Sequence, residues 1–465
     1  MYNDTIAAVA TALGHSGINI IRVSGKDAFS IVNKIYRNHN NEALIHFKCH
    51  TIRYGFIYDN YNNDEVLDEV MVSVFRAPKS YTMEDTVEIN CHGGILITQK
   101  ILQTLFRNGA RPAEPGEFTK RAFLNGRIDL SKAEAVMDMI QAKNDFALKT
   151  SIKQLRGNLY EEIKKLRSDI LYDIAYIESA LDDPEHISLE GYSQELTLKI
   201  NRLSERMQRI LDQADHGRIL KEGIQTVIVG KPNAGKSSLL NLLAGEEKAI
   251  VTRIPGTTRD SIEETIRIRD ISLNIVDTAG IRETEDVVEK IGVDRAREFA
   301  SEADLILYVV DSSLPLDDSD LEIMKLINNK KVIVLLNKTD LPSVISEDTI
   351  REFIKNKDGD YRIIKTSMTE KEGIQCLEDT IVQLFFSGRI TMNDEVYITN
   401  LRQQQAMKDA LNSLHMVRKS IEDDMPEDFL SIDLMGAYTS LGTIIGEETG
   451  EDLINEIFSN FCMGK

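Results

Sequence analysis

The chain has 465 residues, a formal net charge of -20 at pH 7 and four widely separated cysteines. This length predicts two to four domains, and the acidic balance excludes capture of nucleic acid by bulk charge, so that any RNA contact must rest on local basic patches. The cysteine spacing predicts neither a disulfide framework nor a zinc site, and no apolar run reaches about 18 residues, so we expect a cytoplasmic protein without a secretion signal or membrane span.

Short strands and helices alternate in the first part of the chain, residues 1–118, which predicts an α+β domain. A helix is expected over 95–106, where apolar residues have helical spacing. The segment 111–117 contains Pro and Gly and is interpreted as a connector. Strand-like content marks the segments 51–58, 69–75 and 86–90.

Helical periodicity dominates residues 119–215 and 387–465, on either side of a central region. Ser131 and Glu134 have the spacing of a capping box, which predicts that a helix opens at Ser131. In the central region, 216–386, strands and helices alternate as in a doubly wound sheet. We therefore expect a multidomain protein in which an α/β domain is inserted into a helical bundle. The strand candidates of the insertion are 225–229, 273–276, 305–310, 332–336 and 362–366.

A phosphate-binding pattern, G-x-x-x-x-G-K-[ST], occupies residues 230–237 between a predicted strand and a predicted helix. In this setting the loop amides can face phosphates, Lys236 can reach the outer phosphates and the Ser237 hydroxyl can bind magnesium. A glycine-rich turn with a surface lysine is the alternative, and the flanking elements argue against it. The nucleotide contacts expected here are Asn233, Ala234, Gly235, Lys236, Ser237 and Ser238.

Two further segments complete a phosphate and magnesium site. Asp277 closes a strand, where a carboxylate can hold magnesium through water, and the amide of Gly280 can meet the terminal phosphate. Residues 252–260 lie where a phosphate-sensing switch is expected, and Thr258 can be a second magnesium ligand, although a plain turn is the alternative. The other contacts expected in these segments are Thr252, Arg253, Ile254, Pro255, Gly256, Thr257, Thr278 and Ala279.

The nucleotide specificity is predicted from Asn337, Lys338 and Asp340, which form the pattern N-K-x-D after an apolar strand. The Asp340 carboxylate can accept hydrogen bonds from two donors of guanine that adenine lacks, so the nucleotide is expected to be GTP. Ser367 occupies the place of a loop that supports the base, and Met368 follows where G proteins usually have alanine.

The water-orienting glutamine of signalling G proteins is replaced by Ile281, after Gly280. Another residue must then orient the attacking water, and acidic residues of the following loop are the candidates, although such residues are by default solvated. These candidates are Glu283, Glu285, Asp286 and Glu289.

These motifs, together with PGEFT at 115–119, RAFLN at 121–125 and the terminal C-x-G-K, resemble the MnmE (TrmE) family of tRNA modification GTPases over essentially the whole chain. The resemblance implies a folate-binding and dimerising domain over 1–118, a helical domain in two segments, 119–215 and 387–465, and an inserted G domain over 216–386. It implies a homodimeric GTPase that works with the flavoprotein MnmG, which carries the FAD. Together they add an aminomethyl or carboxymethylaminomethyl group to the wobble uridine of certain tRNAs.

The resemblance also implies how particular residues act. The one-carbon unit is linked to 5-formyltetrahydrofolate or a related tetrahydrofolate, and the matching folate contacts are Arg22, Glu88, Arg127 and Lys465. Some members have lysine at the position of Arg127. Cys462, in the terminal stretch, can be a nucleophile or a packing residue near the folate, and we favour packing.

In the family, a potassium ion bridges the phosphates and replaces an arginine finger when two G domains meet. Its matching ligands are Asn233, the side chain of Thr257 and the backbones of Thr252 and Ile254. Magnesium is matched by Ser237 and Thr258. Glu289 matches the acid that positions the attacking water through a second water, and Lys236 is the other catalytic residue.

Two other classes of protein share parts of this pattern. Ribosome-assembly GTPases also contain NAGKS and GTTRD, but they usually carry a second G domain or an RNA-binding domain. A dynamin-like mechanical GTPase needs a membrane-binding surface, and no basic amphipathic helix with aromatic anchors is evident. The basic segments 26–37 and 202–221 can contact RNA, although solvated helix faces are the more usual meaning.

Overall fold

The computed structural model describes residues 4–248, 264–269, 271–276, 303–326, 330–354, 359–386, 398–462 and 464–465. The chain divides into two compact units. The first comprises Met1–Ile140, Ile152–Ser204 and Gln405–Lys465. The second comprises Gln141–Ser151 and Glu205–Gln404. Within the described ranges, none of the helices is both long enough and apolar enough to cross a membrane.

A seven-stranded sheet forms the amino-terminal part of the first unit. Its strands are β1 (Ile6–Val9), β2 (Ser16–Ser24), β3 (Tyr36–Arg37), β4 (Thr51–Asp59), β5 (Glu65–Phe75), β6 (Thr86–Gly93) and β7 (Arg111–Pro112). Their spatial order is β3-β4-β5-β6-β2-β1-β7, with all neighbours antiparallel except β1 and β7. The strands and the helix predicted for this region are confirmed.

Two helices, α1 (Ala28–Asn33) and α2 (Ile95–Arg107), pack on this sheet, and a short 3-10 turn spans Leu44–His46. Alternate residues of β5, Val70, Val72 and Val74, share one buried cluster with apolar side chains of both helices. The period of two expected for a strand therefore turns one face of the sheet toward the helices. The basic segment 26–37 contains α1 and the edge strand β3, and 202–221 lies within a long helix.

The connector predicted over 111–117 is wrong, because this segment belongs to the fold. Arg111 and Pro112 pair with β1, and Glu117, only 2% exposed, begins a helix. The Arg111 guanidinium donates to Glu117 at 2.6 Å and to Asp4 at 2.7 Å. Charged residues that resemble a solvated linker in the sequence thus form ion pairs and hydrogen bonds with one another.

Helices continue the chain, as predicted. They are α3 (Glu117–Leu124), α4 (Leu130–Gln141), α5 (Asp145–Leu155), α6 (Asn158–Asp182) and α7 (Tyr192–Glu222). The helix expected to open at Ser131 begins one residue earlier. Its first turn is capped by the Asp129 carboxylate, which accepts from the amide of Lys132 at 3.1 Å and from the Ser131 hydroxyl.

The second unit contains a six-stranded sheet. Its strands are β8 (Ile224–Val229), β9 (Glu264–Ile268), β10 (Ile271–Val276), β11 (Leu305–Asp311), β12 (Lys330–Asn337) and β13 (Gly359–Lys365). The order is β13-β12-β11-β8-β10-β9, parallel except for the β9–β10 hairpin. After β8, the helices in the described part of this unit include α8 (Lys236–Lys248, interrupted at Gly245), α9 (Asp318–Leu326), α10 (Glu347–Ile354) and α11 (Ile374–Phe386).

Apolar side chains of β11 enter two separate cores, which lie on opposite faces of this sheet. Leu305, Leu307 and Val309 belong to one core, and Ile306, Tyr308 and Val310 belong to the other. Burial on both faces is typical of a doubly wound parallel sheet. The loops that follow β8, β11 and β12 therefore meet at one edge, where such folds bind their ligands.

Three helices end the chain: α12 (Leu401–Glu422), α13 (Glu427–Ile445) and α14 (Glu451–Ser459). In the first unit α13 packs along α6, and the guanidinium of Arg167 lies 3.9 Å from the centre of the Tyr438 ring. A Cβ at Gly442 would lie 2.6 Å from Nη1 of Arg167, so a larger residue there would require the guanidinium to shift.

Candidate functional site

The phosphate-loop pattern forms a tight turn between β8 and α8. A Cβ at Gly230 would lie 2.4 Å from the carbonyl oxygen of Val309, and one at Gly235 would lie 2.2 Å from Nδ2 of Asn337. Asn233 adopts a φ of 60°, in the left-handed region that asparagine tolerates. Both glycines are therefore required where the loop passes close to neighbouring strands and loops.

Lys236 is the first residue of α8, and its ammonium is held by the loop itself. It donates to the carbonyl oxygens of Gly230 at 2.6 Å and of Lys231 at 2.7 Å. Burial lowers the pKa of this ammonium. Ser237 and Ser238 follow in the first turn of the helix and are exposed, whereas Ala234 is buried.

Asn337, at the end of β12, joins three loops. Its Nδ2 donates to the carbonyl of Ala234 at 2.8 Å, and its Oδ1 accepts from the amide of Met368 at 3.3 Å. The side chain is 2% exposed, so these bonds lie in a buried setting where they hold the loops rigidly. The Met368 amide makes this bond irrespective of its side chain, and that side chain packs in one of the two cores of the sheet.

The other residues of the N-K-x-D motif have defined partners. The Ser367 hydroxyl donates to Oδ1 of Asp340 at 2.6 Å and so fixes the orientation of an exposed carboxylate. Lys338 lies 2.6 Å from the buried Asp311. Burial opposes the ionisation of Asp311, but hydrogen bonds from Lys338 and Ser313 outweigh it and lower the pKa of this carboxyl.

Sequence reasoning missed Asp311, Asp317 and Asp320, which surround the loops named above. Asp311 ends β11, and an acidic residue directly after an apolar run was a signal that could have identified it. Asp317 and Asp320 contact the second residue of the phosphate loop, Lys231, and no spacing in the sequence indicates this.

Many predicted nucleotide contacts lie outside the described residues. The magnesium ligand Thr258, the water-positioning Glu289 and three of the four potassium ligands, all but Asn233, are among them. The full set comprises Thr252, Arg253, Ile254, Pro255, Gly256, Thr257, Thr258, Asp277, Thr278, Ala279, Gly280, Glu283, Glu285, Asp286 and Glu289.

The residues matched to folate contacts form a second cluster, in the first unit. Arg22 on β2 donates to Glu88 on β6 at 2.9 Å, and its side chain is 15% exposed. It lies 5.2 Å from the centre of the Tyr81 ring and 5.5 Å from that of Phe118. Arg127 lies 4.8 Å from the same Tyr81 ring and donates to the Tyr81 carbonyl at 2.9 Å.

The carboxy terminus joins this cluster through its backbone. The carbonyl of Gly464 accepts from Arg22 at 3.4 Å, and that of Lys465 accepts from the amide of Phe118 at 3.1 Å. Cys462 also contributes a carbonyl, which accepts from the amide of Gly116 at 3.4 Å. Cys462 is an exposed residue, and its packing role near the folate stays a prediction.

Protein-family models match nearly the whole chain. The model of the "MnmE helical domain" matches residues 130–462, and the model of the "GTP-binding protein TrmE N-terminus" matches residues 5–127. The chain belongs to the MnmE (TrmE) family. The predicted family and the multidomain fold class are thereby confirmed.

Curated members of the MnmE family are similar to this chain from end to end. The tRNA modification GTPase MnmE of Lachnoclostridium phytofermentans is 55% identical over 466 residues, covering 100% of both chains. The tRNA modification GTPase MnmE of Bacillus subtilis is 46% identical over 463 residues, covering 99% of this chain and 100% of its own. The predicted enzyme class, a GTP hydrolase acting in tRNA modification, is confirmed.

Solved structures of other GTPases resemble parts of this MnmE-family chain. Era of Aquifex aeolicus is 30% identical, covers 42% of this chain and 67% of its own, and has a TM-score of 0.28. The G domain of the T. maritima FeoB iron transporter is 25% identical, covers 34% of this chain and 97% of its own, and has a TM-score of 0.26.

Proposed function

We propose that this chain is a potassium-activated GTPase that works with the flavoprotein MnmG on the wobble uridine of certain tRNAs. The two proteins add an aminomethyl or carboxymethylaminomethyl group to carbon 5 of the uridine, using a one-carbon unit carried by tetrahydrofolate. The observation that supports the GTPase core is the bond from Asn337 to the Ala234 carbonyl, because it joins the phosphate loop to the loop that reads guanine.

At the nucleotide, the proposed roles follow from the chemistry of each side chain. Lys236 and the loop amides bind phosphates, and the exposed Ser237 hydroxyl holds magnesium together with Thr258. Asp340 accepts from the guanine ring N–H and amine, and the Ser367 hydroxyl keeps that carboxylate in place. The switch residues 252–258 and residues 277–280 complete the set of proposed contacts.

Potassium, when bound, supplies positive charge opposite the charge that develops on the phosphates during hydrolysis. Asn233 suits such an ion because its side chain is exposed on a left-handed turn and offers an amide oxygen. Thr252, Ile254 and Thr257 are the other proposed ligands. Glu289 then orients the attacking water as two G domains meet, and hydrolysis drives the conformational cycle.

The cluster around Tyr81 suits a folate. Tetrahydrofolate carries N–H donors on its ring and carboxylates on its tail, so it calls for both a carboxylate and cationic groups. Glu88 can accept from the ring, and Arg22, Arg127 and the Lys465 ammonium can bind oxygens or carboxylates. The Arg22 guanidinium is already restrained by Glu88 and two aromatic rings, which reduces the entropy lost on binding.

We further propose that the protein acts in the cytoplasm as a homodimer formed by residues 1–118. In this proposal, the helical domain comprises 119–215 and 387–465, and the G domain comprises 216–386. The full-length similarity to MnmE proteins supports this arrangement.

The first test is GTP turnover in potassium against sodium at matched ionic strength, for wild type and Asn233→Ala. We expect strong potassium stimulation that Asn233→Ala loses while it still binds GDP. Asn241→Ala, an exposed asparagine farther along α8, is the matched control and should retain the stimulation. Equal turnover of wild type in the two salts would contradict potassium activation and strengthen the ribosome-assembly alternative.

The tRNA reaction has its own test. MnmG, a one-carbon tetrahydrofolate and tRNA lacking the modification are combined with the protein, and the modified nucleoside is measured by mass spectrometry. The product should require both proteins and GTP hydrolysis. Formation of the product without this chain would overturn the proposal.

A further inference from the structure

Lys231, the second residue of the phosphate loop, is held by two carboxylates. Its ammonium lies 2.8 Å from Oδ2 of Asp320 and 3.0 Å from Oδ2 of Asp317. The side chain is 17% exposed. Burial alone would lower the pKa of Lys231, but the hydrogen bonds to Asp320 and Asp317 outweigh it and raise the pKa, so the ion pair persists through the neutral range.

Asp320 is a fixed anchor rather than a mobile surface acid. It is 1% exposed, and its Oδ1 accepts from the Tyr308 hydroxyl at 2.7 Å. Its Oδ2 also accepts, at 3.0 Å, from the amide of Asp317, the residue directly before α9. A buried carboxylate with this many donors has little freedom to move.

The anchor is attached to the strand next to the phosphate loop. Tyr308 lies on β11 and pairs in register with Val229, the last residue of β8. The chain of contacts therefore runs from the loop through Lys231 and Asp320 back to the neighbouring strand. It restrains the loop just after the point where Gly230 passes close to β11.

We propose that Lys231 is a positioning residue that holds the phosphate loop in its nucleotide-binding conformation. The carbonyl of Lys231 accepts from the Lys236 ammonium at 2.7 Å, so a shift of the loop at residue 231 displaces a group that holds this ammonium. A preformed loop binds phosphates without first losing conformational entropy. This inference rests on the proposed nucleotide site and deepens it.

A simple charge effect makes a different prediction. If Lys231 acted only by attracting phosphates, or by cancelling Asp317 and Asp320 at a distance, the effect of its loss would fade as salt screens the charges. A positional effect persists at high salt. Nucleotide affinity measured over a range of salt concentrations therefore separates the two.

The experiment measures the Kd of GDP for the full-length protein, with a fluorescent analogue, at about 0.05 M and 0.5 M salt. Lys231→Met keeps the aliphatic stem and removes the ammonium, and we expect about a tenfold higher Kd at both concentrations. Asp320→Asn should weaken binding in the same direction. The Kd of GDP for the double variant should be no higher than that of the single variant with the higher Kd, because the two residues act through one contact.

Arg218→Met is the matched control in the same unit. Arg218 donates to Asp304 at 3.0 Å, and Asp304 also accepts from the amide of Gln225, at the opposite end of β8 from the phosphate loop. This variant should lose thermal stability as Lys231→Met does, without a change in GDP affinity.

Three outcomes would overturn the inference: unchanged affinity in Lys231→Met, a loss that disappears at high salt, or additive losses in the double variant. Failure of the proposed function is distinguishable, since wild type would then show no preference for GDP over ADP. Wild type that binds GDP selectively, with Lys231→Met binding equally well, contradicts only the role of Lys231.

Discussion

Replacing Asn337 by alanine should weaken the binding of GTP and GDP, because Asn337 joins the phosphate loop to the loop that contains Met368. The substitution removes the bonds to the Ala234 carbonyl and the Met368 amide. Both residues are buried, at 1% and 9% exposure, so neither backbone group can readily turn to solvent instead. The phosphate loop and the base-supporting loop would then no longer be held together.

The magnitude follows from these two bonds. A buried polar group that loses its partner costs roughly 1–3 kcal/mol, so the two together destabilise the joined conformation by about 2–6 kcal/mol. Relaxation of the free protein recovers part of this energy, and the nucleotide must restore the conformation on binding. A residual cost of about 1.4–2.8 kcal/mol corresponds to a ten- to hundredfold higher Kd.

The assay is equilibrium binding of fluorescent GDP, together with thermal unfolding. Asn274→Ala is the matched control, because Nδ2 of Asn274 donates to a backbone carbonyl, that of Glu222, at 2.7 Å in the same unit. It should lower stability while GDP affinity stays near that of wild type. A folded Asn337→Ala protein whose Kd lies within about threefold of wild type, less than 1 kcal/mol, would refute the argument.

Four other changes test separate parts of the molecule. Asp340→Asn replaces one acceptor oxygen by an amide donor, so the affinity for GDP should fall by about a hundredfold. The affinity for xanthosine diphosphate, which has a carbonyl in place of the amine, should rise. An unchanged preference for GDP would contradict guanine selection by Asp340. Glu289→Ala should abolish hydrolysis and spare GTP binding, and near-normal turnover would contradict its role. Arg22→Met should weaken binding of 5-formyltetrahydrofolate at least tenfold, as measured by calorimetry, because Glu88 loses its partner and the ligand loses a cation; equal affinity would place the folate elsewhere. Burial opposes the ionisation of Glu117, but hydrogen bonds, first of all from Arg111, outweigh it and lower the pKa of this carboxyl. The ionised carboxylate therefore stabilises the fold fully above the ordinary pKa of 4.5, and this stabilisation is lost as the pH falls through the lowered pKa. The unfolding temperature of Glu117→Gln should accordingly fall less than that of wild type below that pH, and parallel curves would contradict the linkage.

Local patterns in the sequence were sufficient for most elements of the fold. The strand 225–229, the phosphate loop and the helix after it are contiguous, so their order alone predicts strand, turn and helix. Predictions failed where a residue's partner is distant or one turn away. Arg111 pairs with β1 about a hundred residues earlier, and Asp129 takes the capping role assigned to Ser131.

The sequence by itself determined the family of this protein, the alternation of helix and strand, and the motifs predicted to bind phosphate and to select guanine. Each is encoded in a short run of residues whose spacing has a physical meaning. The tertiary structure alone decided which of these runs meet. Asn337 reaches Ala234, Lys231 reaches Asp320, and Arg22 reaches Gly464, across separations that no local pattern records. Strand order and register set those contacts, and they depend on packing of the whole unit.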